Sequence, residues 1–215
     1  MLTASAPSRW AAGPGARAVW ARWRFPVCIA LIAATLQAAG WSTALRYQAG
    51  AVAEGQWWRL LTGNFVHLGW VHLSRDLAAL FIIWFGFSRC LGERAWAGLF
   101  LCNALAVTLG LYVFAPAVHW YVGLSGILYG CVVCAGMLLW PSRRWLGTVM
   151  VLATGAFALY GVLFGPLPGQ ALGLGGEVIP QAHLFGSLGG ALFAVGRLVW
   201  RRRVAGARRP GAGRP

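Results

Sequence analysis

An all-α bundle of six membrane-crossing helices is the fold class this sequence predicts. Three observations predict it. Of the 215 residues, 59% are hydrophobic and only 10% are charged, against about 25% charged in a soluble domain. That is too little charge to cover a water-facing surface. The chain carries 13 Trp and 30 Gly, both frequent in membrane spans or at their interfaces. The apolar residues also fall into six runs of about 20, the length that crosses a bilayer as a helix. Such a composition excludes disorder, collagen and an ordinary soluble enzyme.

The first run, 25–45, begins late and is long for a cleavable signal peptide, and Arg46 follows it rather than a small-residue cleavage site. It is expected to remain as a helix. The second run, 70–88, is unusual in holding His72, Arg75 and Asp76. The third is 96–115, the fourth 122–140, the fifth 145–164 and the sixth 182–200. Trp at several ends suits interfacial anchoring.

Arg placement sets the orientation. Arg9, Arg17, Arg22 and Arg24 precede the first run. Arg89 and Arg94 follow the second, Arg143 and Arg144 the fourth, and Arg201, Arg202, Arg203, Arg208, Arg209 and Arg214 the sixth. The opposite gaps hold only Arg46 and Arg59. An even number of spans puts both ends on one side, and the basic excess makes that side cytoplasmic. The chain then divides into a cytoplasmic tail at 1–24, a helical domain at 25–200 and an Arg-rich, Gly/Pro-rich cytoplasmic tail at 201–215, expected to be disordered. The net charge of +14 serves topology in the lipid bilayer rather than nucleic acid, because the Arg sit in tails and gaps. Cys131 and Cys134 lie inside a membrane run without a second ligand pair, so buried packing is expected there. No HExxH occurs, and the spacing of His67 and His72 is awkward for one helix face; no metal is expected.

Ionisable groups inside a membrane default to functional hypotheses. His72 and Asp76 are four apart and share a helix face. Ser125 opens the fourth run and His183 the sixth. The second, fourth and sixth runs all pass from outside to inside, so these four groups fall at one depth near the outer surface. Gly126-x-x-x-Gly130 and Gly186-x-x-x-Gly190 let helix backbones approach closely. If those two faces meet, Ser125 and His183 come within hydrogen-bond reach. A serine hydroxyl needs a base to become a nucleophile, and His183 is the candidate. The oxyanion of the tetrahedral intermediate needs donors, and the Ser125 N–H and His72 are candidates. Tyr129, one turn below Ser125, is placed to stack under the imidazole.

With these residues in view, the sequence resembles the rhomboid family of intramembrane serine proteases. Gly123-Leu124-Ser125-Gly126 is similar to the family's nucleophile motif, and Ala182-His183-Leu184-Phe185-Gly186-x-x-x-Gly190 to its histidine motif. Trp58-Arg59 resembles the pair in its first external loop. His67 and His72 resemble the histidines around the start of its second helix, and Tyr129 its stacking tyrosine. The resemblance covers about 57–190. It implies a six-helix rhomboid-like bundle, a Ser125/His183 dyad with no cofactor, supporting roles for Gly123, His72, Tyr129 and position 76, and membrane-anchored protein substrates. It also implies that a substrate helix enters beside the fifth helix and the loop carrying Gly165-Pro166-Leu167-Pro168-Gly169.

One departure stands out: the family usually has Asn where this chain has Asp76. An ionised carboxylate would repel an oxyanion. Burial could keep Asp76 neutral and donating; it could pair with Arg75 or His72; or it could lie outside the oxyanion site. The Asp, the compact core and the Arg-flanked ends most resemble the rhombosortase branch. That resemblance implies cleavage of proteins bearing a C-terminal Gly-rich sorting signal, a transmembrane helix and a basic tail. It also implies a bacterial inner membrane and an active site facing the periplasm. The rival reading is an inactive rhomboid-like protein that binds client transmembrane helices. Retention of both Ser125 and His183 argues against it, and Asp76 argues for it. Trp58, Arg59, His67 and Glu93 are read as structural, and His119 as solvated.

Overall fold

The computed structural model describes residues 16–207. Arg9, Arg208, Arg209, Arg214 and the Gly/Pro-rich end of the expected C-terminal tail lie outside the described residues. The described chain is mostly helical, with one two-residue ladder and connecting loops. It opens with α1 (Ala16–Ala38), followed by the short helices α2 (Ser42–Leu45), α3 (Ala49–Ala53) and α4 (Arg59–Thr62). Then come α5 (Trp70–Phe87), α6 (Glu93–Phe114), α7 (Ser125–Leu139), α8 (Arg144–Phe164) and α9 (Pro180–Ala207). Strand β1 (Tyr47–Gln48) pairs antiparallel with β2 (Trp120–Tyr121), Tyr47 opposite Tyr121.

Four described segments are long and apolar enough to cross a membrane: Trp70–Cys90, Glu93–Phe114, Arg144–Phe164 and Pro180–Val204. Helix α7 is apolar but only 15 residues long. The expected first span, 25–45, is divided. Helix α1 stops at Ala38 because Gly40 adopts φ +69°. The Gly40 N–H donates to Gln37 O at 3.1 Å and the Trp41 N–H to Leu36 O at 3.2 Å. This is the paired bonding of a Schellman stop, in which glycine takes the left-handed position at no steric cost. Helix α1 also begins before 25, so part of the segment read as an N-terminal tail is helical.

Other boundaries move for similar local reasons. Helix α7 starts at Ser125 rather than 122, because Gly123 at φ +120° cannot be helical. Helix α6 starts at Glu93, whose carboxylate suits the positive end of a helix. Helix α9 starts at Pro180, a residue favoured at the first helical position. It continues to Ala207, so Arg201–Arg203, read as the beginning of a disordered tail, are helical.

Helix α7 lies at the centre, packed on α5, α6, α8 and most closely on α9. Glycines set that approach. A Cβ on Gly186 would overlap Gly126 O, one on Gly190 would overlap Gly130 O, and one on Gly130 would overlap both Gly186 O and the Asn103 side chain. The two GxxxG faces therefore interlock. From α6, Asn103 Nδ2 donates to Ile127 O at 3.0 Å, which ties the same seam to a third helix. Cys131 and Cys134 are free and buried in this core, as packing residues.

The other elements brace the bundle. At one end, Arg24 Nε donates to Glu93 Oε1 at 2.6 Å, and Trp84 Nε1 donates to Arg22 O at 2.9 Å, holding α1 against α5 and α6. At the other end, Arg59 donates to Arg46 O at 2.8 Å and to Gln56 Oε1 at 2.7 Å. Arg59 thus orders the connection between α2 and α4, the structural part expected of it.

Candidate active site

Helices α5, α7 and α9 run parallel, and their N-terminal ends meet at one side of the bundle. Each carries one expected site residue in its first turn: His72 on α5, Ser125 on α7 and His183 on α9. The interlocked glycines bring α7 and α9 close enough that Ser125 Oγ lies 3.0 Å from His183 Nε2. With that nitrogen unprotonated, the hydroxyl donates to it. Ser125 is half-buried and His183 is buried.

Tyr129 stacks on the His183 ring at 4.2 Å between centroids and 4° between planes. Tyr129 also meets Phe157 of α8, at 6.3 Å between centroids and 25° between planes. The imidazole plane is thus set by an aromatic stack that reaches across α7 to α8. A spacing of four residues from Ser125 was enough to find Tyr129; nothing in the sequence pointed to Phe157.

Gly123 earns its place twice. Its φ of +120° is one that other residues rarely adopt, and a Cβ there would sit 2.8 Å from the His72 ring. The Gly123 N–H donates to Gly63 O at 3.2 Å, and its carbonyl accepts from the Tyr121 hydroxyl at 2.7 Å. That hydroxyl also accepts from the Gly126 N–H at 3.4 Å. Burial holds the Tyr121 phenol above its ordinary value, aided by the nearby Asp76 carboxylate, so the group stays neutral and can play both parts. Tyr121 had no expected role.

His72 receives the Leu68 N–H on Nδ1 at 3.5 Å. That leaves Nε2 as the protonated nitrogen, 3.5 Å from Asp76 Oδ2. Among the described residues the Ser125 N–H has no hydrogen-bond partner, as is usual for the first N–H of a helix. The nucleophile's own amide and the His72 Nε2–H are thus two donors beside Ser125.

Asp76 does not pair with Arg75, one of the alternatives open from the sequence. Arg75 instead donates to Gln170 O at 3.2 Å and Leu172 O at 2.8 Å, in the loop between α8 and α9. Asp76 Oδ2 accepts the Leu124 N–H at 2.8 Å and lies 3.2 Å from His67 Nε2. A main-chain N–H can only donate, so toward Leu124 this oxygen is the acceptor. His67, which precedes α5, was expected to be structural.

Two cavities flank Ser125. One, of about 190 Å³, is lined by His72, Asp76, Tyr129, Glu177 and His183 beneath the loop that Arg75 holds. The other, of about 510 Å³, lies between α5, α7 and α8 and is apolar, lined by Ala79, Ile83, Val132, Ala153 and Phe157. Ser125 borders both. The arrangement puts a hydroxyl, an imidazole nitrogen within hydrogen-bond reach of it, two N–H donors, a chamber bordered by His72, Asp76 and Glu177, and an apolar groove at a single point.

Known proteins can now be set beside this geometry. A family model described as the rhomboid domain matches residues 54–200. "Putative rhomboid protease YdcA" of Bacillus subtilis (strain 168) is 27% identical over 146 residues, covering 66% of this chain and 68% of that protein. "Rhomboid protease GluP" of the same organism is 32% identical over 81 residues, covering 38% of this chain but only 16% of that longer protein.

Proposed function

This chain belongs to the rhomboid family of membrane proteins, and from that premise we propose that it is an intramembrane serine endopeptidase with Ser125 as nucleophile and His183 as general base. The observation that carries the reading is the 3.0 Å approach of Ser125 Oγ to His183 Nε2, on a ring held flat by Tyr129. Two relatives described as rhomboid proteases support the same chemistry.

The reaction follows from the groups present. His183 Nε2 takes the Ser125 proton as Oγ attacks the scissile carbonyl carbon. The resulting oxyanion is met by the Ser125 N–H and the His72 Nε2–H. His183 returns its proton to the leaving amine, which departs and leaves an acyl-enzyme. A water molecule entering the chamber is deprotonated by His183 as its oxygen bonds to the acyl carbon; the Oγ–carbon bond then breaks, His183 returns the proton to Ser125 Oγ, and the acid product leaves. Gly123, Tyr129 and Asp76 support this geometry without exchanging protons with the substrate.

The substrate is a membrane-anchored protein. Its transmembrane helix lodges in the apolar groove between α5, α7 and α8, and an unwound segment reaches Ser125. Gly and other small residues favour the unwinding, because they are poor helix formers. The preferred client class is rhombosortase-type: a C-terminal Gly-rich signal, a transmembrane helix and a basic tail. The protein crosses a bacterial inner membrane six times, with both ends cytoplasmic and Ser125 near the periplasmic face. Residues 16–24 and 201–207, read as tail from the sequence, extend α1 and α9 beyond the protease domain at 25–200. Helix α7 can be short because other helices surround it, so it need not match the full lipid thickness.

A fluorophosphonate serine probe tests the proposal on the purified, reconstituted chain. Labelling should map to Ser125, disappear in Ser125→Ala and fall by at least about 1,000-fold in His183→Ala. A chain that binds client helices but neither labels nor cleaves would instead be the inactive, client-holding relative.

A further inference from the structure

His67 is buried to 0% exposure in the segment that leads from α4 into α5. It is not one of the groups that face the reacting atoms. A buried imidazole is costly unless it is hydrogen-bonded. Its Nδ1 has no partner among the described residues. Its Nε2 has one, Asp76 Oδ2 at 3.2 Å. A proton on Nε2 is therefore the arrangement that gives this ring a hydrogen bond.

The same carboxylate oxygen accepts the Leu124 N–H at 2.8 Å. One atom thus joins the lead-in to α5 with the residue just before Ser125. A second contact from the same segment reaches the preceding residue, since Gly63 O accepts the Gly123 N–H at 3.2 Å. The stretch 63–67 grips two consecutive amides, those of Gly123 and Leu124, immediately ahead of the nucleophile. Once both are fixed, the next amide, that of Ser125, is aimed without a partner of its own. The His67 ring meets His72 edge-on at 5.0 Å and 80°, so the grip also borders the second N–H donor.

We infer that His67 is a positioning residue for the reaction, acting through Asp76 to hold the Gly123–Leu124 turn so that Ser125 Oγ and the Ser125 N–H face the substrate carbonyl. Asp76 is the acceptor in this relay. The role deepens the proteolytic reading and rests on it, but the geometry can be tested without catalysis.

The test compares His67→Gln, whose amide nitrogen reaches about as far as Nε2, with His67→Leu, which has no donor. Full-length protein in lipid nanodiscs is used. His67→Leu should lower kcat and the fluorophosphonate labelling rate by about 10–100-fold with KM within about twofold, the range seen when an outer supporting group is lost. His67→Gln should restore both to within about threefold of the parent chain. Combining His67→Leu with Asp76→Leu should cost no more than Asp76→Leu alone, because the two act as one unit. Hydrogen exchange at the Leu124 amide should quicken in His67→Leu and not in His67→Gln, whether or not the protein cleaves anything. If His67→Leu does not fold, His67→Ser, too short to reach Oδ2, takes its place. Equal rates for the Gln and donor-less variants, additive losses in the double variant, or unchanged Leu124 exchange would each overturn the relay. An unlabelled parent chain would instead sink the proteolytic reading and leave the exchange result to judge the relay.

Discussion

Gly123 shows how much a single residue decides. Replacing it with alanine would force a side chain into φ +120° and against the His72 ring at 2.8 Å. The backbone cost alone is about 1–3 kcal/mol, and relief by rotation would carry Ser125 with it. Gly123→Ala is expected to lose at least about 100-fold in fluorophosphonate labelling, since misplacement by about 1 Å costs that much. Tyr129 tests a gentler effect. Tyr129→Phe keeps the stack on His183 and should label within about threefold of the parent, while Tyr129→Ala should fall by about tenfold, the worth of one aromatic contact. Spacing and motif resemblance pointed to Ser125, His183, Tyr129 and Gly123, and the structure brings the four together at one end of the bundle. The partner of Asp76 was not, because His67 lies nine positions away across a helix start and no helical period relates the two.

At the scale of elements, the seam between α7 and α9 is the dominant feature. Gly190→Leu would drive a side chain into Gly130 O and should destabilise the bundle by about 1–3 kcal/mol, as overpacking does in a close-packed interior. Thermal unfolding in detergent reads that loss. Gly196, on the same helix with nothing within 4 Å of its would-be Cβ, is the control. Gly196→Ala should leave the midpoint unchanged or raise it, because alanine is the better helix former. The loop 165–179 supplies a second test. Arg75 holds it by two carbonyls, so Arg75→Ala should speed proteolytic nicking of that loop, and Arg75→Lys, which lacks the guanidinium fork, should restore only part of the protection. Periodicity made the helices of this seam readable, and paired GxxxG motifs suggested that they meet. The stop at Gly40 was missed because 25–45 reads as continuous in hydropathy, and a helix stop is a matter of one dihedral angle.

For the whole molecule, charge and topology are linked. The basic residues at both ends predict a cytoplasmic N- and C-terminus. An alkaline phosphatase reporter, active only outside the cytoplasm, should be silent when fused after 215 and active when inserted at 116–118, between α6 and β2. The reverse pattern would put Ser125 at the cytoplasmic face and remove the proposed clients from reach.

What the sequence determined by itself is a membrane-embedded helical chain, the polar residue types it carries, and the end of the bundle at which they collect. Hydrophobic length, arginine placement and the spacing of glycines are local or additive properties, so they survive in a string of letters. Only the tertiary structure decided which atoms touch: that Arg75 turns away to the loop, that Asp76 accepts from Leu124, and that His67 reaches in from outside the helices. Such choices depend on which buried polar group finds a partner once the backbones are packed, and that competition has no counterpart in sequence order.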